Sequence, residues 1–406
     1  MWAIRSTNSV VSSSHLRIAV VGAGVGGLTL AAALTRAGVP CTVHEQADRL
    51  SEVGAGLQLA PNAVRLLHRL GLADALGRRA VRPLSRDIRR WDDDRLLSRT
   101  VLGAECEARY GAPYTTVHRA DLHAALLAVA GDSVRTGHRL SGLAQRPDGV
   151  VLRFADGTVE EADVVVGADG IRSTVRAELT RDAPEFSGQF IYRGLVPAEA
   201  VPGAADEPRV RIWLGPGRHC VCYPVSGGRS LSFAATAPGD GRHEESWTGT
   251  AEPGEAVAAY RGWNSTVVSL LDAAGTVGRW ALHDRPTLER WSTDRITVLG
   301  DAAHPMLPFA SQGANQAIED AMALAACLVR SGSDAPAAAL RRYASVRAPR
   351  TGLLQKSSRE RTEAMHLPDG PRQRERDTGF AGTGGLREEA WLYGYDTLAA
   401  VARAAG

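Results

Sequence analysis

The sequence predicts an α/β fold, a nucleotide-binding parallel sheet carrying an inserted β-rich part, and three observations predict it. The β-branched run Ile18-Ala19-Val20-Val21 stops at Gly22, and an alanine-rich helical stretch follows at once, ending near Gly38. Two further buried-looking runs, from Asp163 and from Arg295, end in glycine turns tipped by an aspartate, Gly167-Ala168-Asp169-Gly170 and Gly300-Asp301. Between them, from about residue 181 to 291, helical runs thin out and strand-like segments alternate with Gly/Pro turns, which reads as an antiparallel sheet inserted into the nucleotide domain.

In the first unit Gly22, Gly24 and Gly27 have the G-x-G-x-x-G spacing, with Val25 and Gly26 between them. The turn needs unrestricted dihedrals, a Cβ at Gly24 would block a diphosphate, and helix and strand must pack closely at Gly27. The N–H groups and positive end of the new helix favour phosphates. A second strand, Cys41-Thr42-Val43-His44-Glu45, ends on an acid about 20 residues further on, where a carboxylate can hold ribose hydroxyls. A lone glycine motif is weak; strand before, helix after and Glu45 in place make it a dinucleotide site. The apolar run from Ile18 to Leu34 does not read as a signal peptide or membrane span, because its glycines cluster in the first half and Thr29 interrupts it.

Composition narrows the partners. At 406 residues the chain is long enough for two domains, or for one with a second inserted. Lys+Arg 47 against Asp+Glu 45 leaves no basic field for nucleic acid or an anionic membrane, so the expected partner is a small molecule. The five cysteines, at 41, 106, 220, 222 and 327, form no C-x-x-C pair and are odd in number, which suits a reducing cytoplasm. No His/Cys/Asp/Glu cluster has ligand spacing, so no metal site is expected.

Along the chain, residues 1 to 14 are serine-rich and read as a loose arm. Gly54 to Leu59 is a glycine-punctuated strand, and Pro61-Asn62 opens a helix carrying Val64, Leu67, His68 and Leu70. Trp91 to Asp94 is a turn between strands, and Arg119 starts a helix with Leu122, Leu126 and Val129 on one face. Asp156-Gly157 joins Val150–Phe154 to Val159–Glu161 as a hairpin. The inserted part offers strands at Phe190–Val196, Val210–Leu214, His219–Val225 and Leu231–Ala235, with one helix near Ala256 to Gly262. Period-two alternation puts His219, Val221 and Tyr223 on one face and Cys220 and Cys222 on the other, where the cysteines read as packing. After the third unit a rigid loop leads to a helix beginning near Gly313. A charged helix, the turn His366-Leu367-Pro368-Asp369-Gly370-Pro371, and a tail with Trp391, Tyr393 and Tyr395 that docks on the body complete the chain.

The order, spacing and flanks of the three turn units resemble, over roughly residues 16 to 350, the FAD-dependent aromatic hydroxylases of the p-hydroxybenzoate hydroxylase type. The stretches GAGLQLAPNAVRLLHRLGL, YRGLVP, GDAAHP with QGANQAIEDA, and HLPDGP further resemble members that hydroxylate salicylate, 3-hydroxybenzoate and 6-hydroxynicotinate. The resemblance implies a Rossmann-like FAD-binding domain of three ββα layers, an inserted mixed/antiparallel β-sheet substrate domain, and C-terminal helices. Residues 15–80, 105–180 and 292–350 would bind FAD, 81–104 and 181–291 form the substrate domain, and 351–406 the C-terminal helical segment and tail. It also implies non-covalent FAD, NADH or NADPH as co-substrate, O2, an aromatic small molecule, and a cytoplasmic monomer or homodimer. The reaction implied is hydroxylation of a phenolic or heteroaromatic ring through a C4a-hydroperoxyflavin. Which nicotinamide, which ring and position, and whether a group is lost stay open.

By the same resemblance Gly22, Gly24, Val25, Gly26, Gly27 and Gln58 belong to the cofactor site, with Glu45 on the adenosine ribose and Arg119 on the ribityl or diphosphate region. Asp169 would serve both FAD and NAD(P)H, and Asp301 a ribityl hydroxyl. Gly313, Ala314 and Asn315 would turn backbone N–H groups to the pyrimidine edge of the flavin. Reduced flavin carries negative charge there, which a helix N-terminus stabilises by a few tenths to about 2 kcal/mol. His219 and Tyr223 resemble the substrate-binding strand of the hydroxynicotinate type; the plain alternatives are a satisfied histidine and a core ring. Pro308 matches a proline whose carbonyl steers a substrate hydroxyl, with His304 and Gln312 flanking it. Arg193 could bind a substrate carboxylate, contact the flavin, or form a structural ion pair. The competing functions are another FAD enzyme, such as an oxidase or epoxidase, and a non-catalytic FAD-binding protein; a halogenase would carry W-x-W-x-I-P, which the chain lacks.

Overall fold

In the computed structural model, which describes residues 16–50, 56–239, 249–331, 336–380 and 385–404, the first apolar run is β1 (Ile18–Val21), buried throughout. The serine-rich arm and Gly54-Ala55 lie outside the described residues. Helix α1 (Val25–Arg36) follows, then β2 (Cys41–His44), β3 (Gly56–Leu59), α2 (Pro61–Arg69) and α3 (Ala73–Gly77). Pro61 opens α2 where its missing N–H has no helical acceptor to lose. The hairpin β4 (Ser85–Arg90) and β5 (Leu96–Val101), α4 (Gly103–Tyr110), β6 (Thr115–His118), α5 (Arg119–Ala130) and β7 (Val134–Arg135) come next. A meander of β8 (Leu140–Gln145), β9 (Val150–Phe154) and β10 (Val159–Ala162) leads into β11 (Val164–Gly167).

Beyond β11 lie β12 (Glu185–Pro197), β13 (Arg209–Gly215), β14 (Arg218–Val225), β15 (Ser230–Pro238), α6 (Glu255–Ala259), α7 (Ser265–Asp272) and β16 (Gly278–Asp284). Then come β17 (Ile296–Val298), α8 (Gly313–Ser331), α9 (Pro336–Met365), α10 (Pro371–Phe380), α11 (Ala390–Tyr393) and α12 (Thr397–Arg403). The sequence suggests one helix in the 250s; the chain forms two, because Asn264 Oδ1 accepts the Val267 N–H (3.2 Å) and starts α7 afresh.

A parallel sheet in the order β17-β11-β1-β2-β7 is the centre of the nucleotide part. β1 pairs with β11 and β11 with β17, all parallel, so the three glycine turns leave the same edge side by side. Helix α1 packs between α5 and α8 on one face, while Leu140, Val150, Leu152 and Phe154 of the meander join the same core from the other. That makes three layers, β-meander, parallel sheet and helices.

The second sheet has the order β16-β12-β15-β14-β13-β4-β5. It is a mixed sheet: the pairs are antiparallel except at β13, whose register with β4 is parallel, because β4 and β5 arrive from the earlier segment and cover what would be an open edge. One face, with Tyr192, Trp213, Cys220, Cys222, Phe233 and Ala235, packs under α6 and α7 against Tyr260, Trp263 and Leu270. The two cysteines are thus core side chains, and all five cysteines are free thiols. The opposite face carries Ile191, Arg193, Leu195, Ile212, His219, Val221, Tyr223, Ala234 and Thr236 toward the nucleotide part. The tail docks: Arg65 donates to the carbonyls of Tyr110, Tyr393 and Tyr395, and the Arg350 guanidinium lies 3.8 Å from the Tyr395 ring centre.

Candidate active site

Glycine fixes the nucleotide end. Gly22 has φ +103°, and a Cβ there would lie 2.4 Å from Ala168 O, so the first two turns touch at this residue. A Cβ on Gly27 would lie 2.0 Å from Gly22 O, and one on Gly26 would lie 2.5 Å from Leu299 Cδ1, which brings α1 against the third turn. A Cβ on Gly24 would meet nothing within 4 Å among the described residues. That open side lies at the head of α1, where Val25 begins the helix and its first N–H groups have no helical acceptor. Glu45 follows β2; its Oε2 accepts the Ala23 N–H (2.8 Å) and its Oε1 the Ala47 N–H (2.9 Å). Each oxygen keeps lone pairs for a ribose hydroxyl.

Asp169 builds its own turn. Its carboxylate accepts the N–H groups of Thr174 (2.7 Å) and Val175 (3.2 Å) and the Ser173 hydroxyl. Burial raises its pKa, against the pull of these donors. Asp301 is different: it is exposed to the cleft and, among the described residues, takes no hydrogen bond from the protein. The protein around it raises its pKa, while His304 and Arg119 act in the opposite sense, so Arg119, the first residue of α5, shares this cleft.

Over the cleft stands the start of α8. Gln312 O accepts the Gln316 N–H (2.8 Å), so the N–H groups of Gly313, Ala314 and Asn315 have no partner within the helix. Asn315 is committed through its side chain as well: Oδ1 accepts the Ala60 N–H (2.8 Å) and Nδ2 donates to Gln58 O (2.9 Å) and Ser311 O (2.8 Å). Gln58 Oε1 accepts the Tyr114 hydroxyl (2.7 Å). An open glycine at a helix head, a carboxylate without a protein partner among the described residues and a helix N-terminus with unpaired N–H groups offer the donors and the acceptor that a dinucleotide cofactor such as FAD takes.

Facing these groups, Leu195, Ile212, Val221 and Ala234 remain half-buried in the middle of a fully paired sheet, which marks a recess between the two parts. At one end Arg193 donates to Gly56 O (3.0 Å) and lies 5.6 Å from the Trp280 ring centre. Among the described residues it has no carboxylate partner, so it is not the structural ion pair its sequence context allowed. Burial lowers the Arg193 pKa and raises that of Tyr223, which is in contact with it. At the other end His219 is 4% exposed, with Nδ1 2.8 Å from His366 Nε2 and the Phe309 ring centre 5.2 Å away. Burial, and then His366, push its pKa well below the ordinary value, so the ring is neutral. Pro308 is exposed beside it, and its carbonyl already accepts the Ser311 N–H (3.0 Å).

Two flanking residues of the loop face away from the recess. His304 is fully buried, paired to Asp320 Oδ2 (2.5 Å) and stacked on Trp291; Gln312 Oε1 accepts the Gln316 side chain (3.0 Å). Sequence reasoning missed the network behind them, in which Arg347 and Arg350 neutralise Glu319 and Asp320 at zero exposure of both acids. It also left His366 without a partner, although HLPDGP stood out as a motif. His44, His138 and Glu160 converge behind Glu45, but Arg135 already balances Glu160 (2.7 Å).

Fold and cleft together are those of an enzyme built around a nucleotide cofactor, with a recess between its two sheets. The chain belongs to the family whose model is described as an FAD binding domain, matched over residues 15–357. It is 51% identical to a 3-amino-4-hydroxybenzoate 2-monooxygenase of Streptomyces platensis, across 95% of this chain and 98% of that one. It is 37% identical to the 6-hydroxynicotinate 3-monooxygenase of Bordetella bronchiseptica, across 85% and 91%. Among solved structures it resembles Klebsiella pneumoniae HpxO complexed with FAD and uric acid (TM-score 0.84, 28% identity, 96% and 98% covered). It also resembles a salicylate hydroxylase substrate complex (TM-score 0.80, 27% identity, 96% and 98%). The protein is an FAD-dependent monooxygenase that hydroxylates an aromatic ring, with NAD(P)H as co-substrate. FAD supplies electron transfer and oxygen activation; the chain supplies binding, orientation and exclusion of water. Among the described residues no helix is long and apolar enough to cross a membrane.

Proposed function

We propose that this enzyme hydroxylates 3-amino-4-hydroxybenzoate or a near analogue beside its amino group, using NAD(P)H and O2. The observation that carries the reading is Arg193, a cation without a carboxylate partner among the described residues, at one end of an apolar recess whose other end holds a neutral histidine. The substrate carboxylate binds Arg193 with the help of Tyr223, and the ring hydroxyl para to it meets His219 and the Pro308 carbonyl. Four residues of strand separate Tyr223 from His219, about 13 Å. A para-hydroxybenzoate with a hydrogen bond of about 2.8 Å at each end spans a comparable distance. The relative at 51% identity supports the amino-substituted ring.

On the cofactor side we assign the diphosphate to the N–H groups after Gly22 and Gly24, with Val25, Gly26 and Gly27 shaping that turn. Glu45 takes the adenosine ribose, Arg119 and Asp301 the ribityl chain, and Gly313, Ala314 and Asn315 the pyrimidine edge. Gln58 and Asp169 hold the surrounding backbone. We divide the chain at residues 80, 104, 180, 291 and 350; the division is supported by β4, β5 and β12 to β16 sharing one sheet and β1, β2, β7, β11 and β17 the other, although the bounds at 104 and 350 fall within α4 and α9. A cytoplasmic setting is supported by the five free thiols, and a monomer or homodimer is the assembly we expect.

The test is turnover of the FAD-loaded enzyme with 18O2 and either nicotinamide on aminohydroxybenzoates, hydroxybenzoates, anthranilates and hydroxypyridines, scored by product mass. One labelled oxygen is expected in the hydroxylated product of 3-amino-4-hydroxybenzoate, the other leaving as water, with 2-aminophenol, which lacks the carboxylate, showing at least a tenfold higher KM. Cofactor oxidation that yields only hydrogen peroxide across the whole panel would overturn the assignment.

A further inference from the structure

Behind the strand that leads to Glu45, three side chains with no part in the function argued so far meet in space: His44 at the end of β2, His138 between β7 and β8, and Glu160 in β10. They lie far apart in the chain, so no ligand spacing announced them. His44 points to the meander, its ring centre 4.7 Å from that of Phe154 and 5.6 Å from that of His138. One donor atom from each of the three residues lies within 4.8 Å of the other two, and His44 Nε2 stands 3.6 Å from Glu160 Oε2. Two ligands held 2.0–2.1 Å from one tetrahedral ion are themselves about 3.4 Å apart, so this closest pair already has the spacing of a coordination shell.

A second, independent observation concerns what the histidines lack. His44 is 1% exposed, yet both its ring nitrogens, and Nδ1 of His138, have no hydrogen-bond partner among the described residues. Buried polar atoms are ordinarily paired, and a cation on the imidazole lone pair supplies the partner that the protein does not. A surface pocket lined by Arg17, Cys41, Thr42, His44 and Glu160 reaches the group, and the Glu160 side chain is 30% exposed, so a small ion can enter from solvent.

We propose that His44, His138 and Glu160 form a binding site for a divalent transition-metal ion of the Zn2+ type, with water as the fourth ligand. Two imidazoles and one carboxylate suit zinc, whereas Mg2+ and Ca2+ take shells of oxygen. Arg135 does not fill the site: it donates to Glu160 Oε1 (2.7 Å) and leaves Oε2 turned to His44, as an outer partner that orients a ligand. Its charge opposes a cation, but the side chain is 52% exposed and solvent screens it. The ion would join two layers of the fold. His44 O accepts the Gly22 N–H and Glu45 O accepts the His138 N–H (2.8 Å each), so the two histidine ligands flank Glu45 along the backbone. Binding therefore clamps the meander onto the end of β2, and an ion that prefers the folded chain raises its resistance to unfolding by mass action. Nothing in this depends on which ring the enzyme hydroxylates.

The test uses tag-free, FAD-loaded enzyme, treated with a chelator and then titrated with ZnCl2 by calorimetry and with CoCl2 by absorbance. Expected are one ion per chain, intense cobalt d–d bands to the red of the flavin, and a melting temperature that rises with Zn2+. His138→Ala and Glu160→Gln should each weaken Zn2+ binding at least tenfold and abolish the rise in melting, at wild-type FAD content. The two variants lie in different elements, so one decides the matter should the other fold poorly. His366→Ala, which removes the close pair that His366 makes with His219, should bind Zn2+ as the wild type does. Failure of the wild type to bind either ion at millimolar concentration overturns the site, and so does binding that survives both ligand variants or is lost in His366→Ala. Displacement of Zn2+ by equimolar Mg2+ overturns the nitrogen donors.

Discussion

Asp169 and Asp301 close equivalent strand-to-turn units, and their carboxylates have opposite surroundings. Asp169 is held by Ser173, Thr174 and Val175, so Asp169→Ala leaves two backbone donors unpaired and should destabilise the flavin-free protein by about 1–3 kcal/mol. Asp301 has no such bonds among the described residues. Asp301→Ala should therefore leave the unfolding of the flavin-free protein unchanged in urea while FAD binds about 10- to 100-fold more weakly by fluorescence titration, the loss of a charge-assisted hydrogen bond. Lowered stability of the flavin-free Asp301→Ala protein would contradict this. The sequence marked both aspartates alike because both follow a buried strand and a glycine; only neighbours four to six residues on, folded back as a turn, separate them.

The element that decides whether the cleft forms is α1. Its glycines are exchangeable as letters in a motif but not as volumes. Gly27→Ala sets a Cβ against Gly22 O, backbone against backbone, so α1 must move off β1 and both thermal stability and flavin retention should fall. Gly24→Ala meets no atom of the described residues within 4 Å. It should melt like the parent without FAD yet purify with a lower 450 to 280 nm absorbance ratio, because the new methyl occupies the diphosphate's approach. Equal melting of the two flavin-free variants would refute the packing argument. At the same scale β14 was legible as a strand with His219 and Tyr223 on one face. Its partner across the recess was not: His366 lies 147 residues away, and no local periodicity encodes such a distance.

At the scale of the whole molecule, one buried charge network joins the third turn to the long helices. Gly300 N–H and His304 meet Asp320, and Arg347 bridges Asp320 to Glu319. Burial raises the Asp320 pKa, but His304 and Arg347 outweigh it and hold the carboxyl at about 2. Relative to an ordinary 3.8 this contributes about 2 kcal/mol of stability above pH 4, lost as the pH falls toward 2. His366 and His44, both lowered by burial from 6.5 to about 4, act in a higher window: the unfolded chain binds their protons first, so stability falls as the pH drops from 6.5 to 4. The free energy of urea unfolding should therefore begin to decline near pH 6, well above carboxylate titration. Arg347→Met leaves both acids with diminished compensation and should cost about 3–5 kcal/mol in urea unfolding; a loss below 1 kcal/mol would show the network to be dispensable.

Local chemistry determined much of this protein in advance. Strand, glycine turn and helix at 18 to 36, the acid at 45 and the aspartates at 169 and 301 follow from short-range rules, since backbone dihedrals and helix ends are set within a few residues. Tertiary structure decided the rest: that β4 joins β13 in parallel, that His304 serves the buried network rather than the recess, that Arg193 stands without a carboxylate partner among the described residues, and that His366 meets His219. Each of these is a contact between segments far apart in the chain, and burial and charge there depend on what the fold brings alongside, which no local pattern of residues contains.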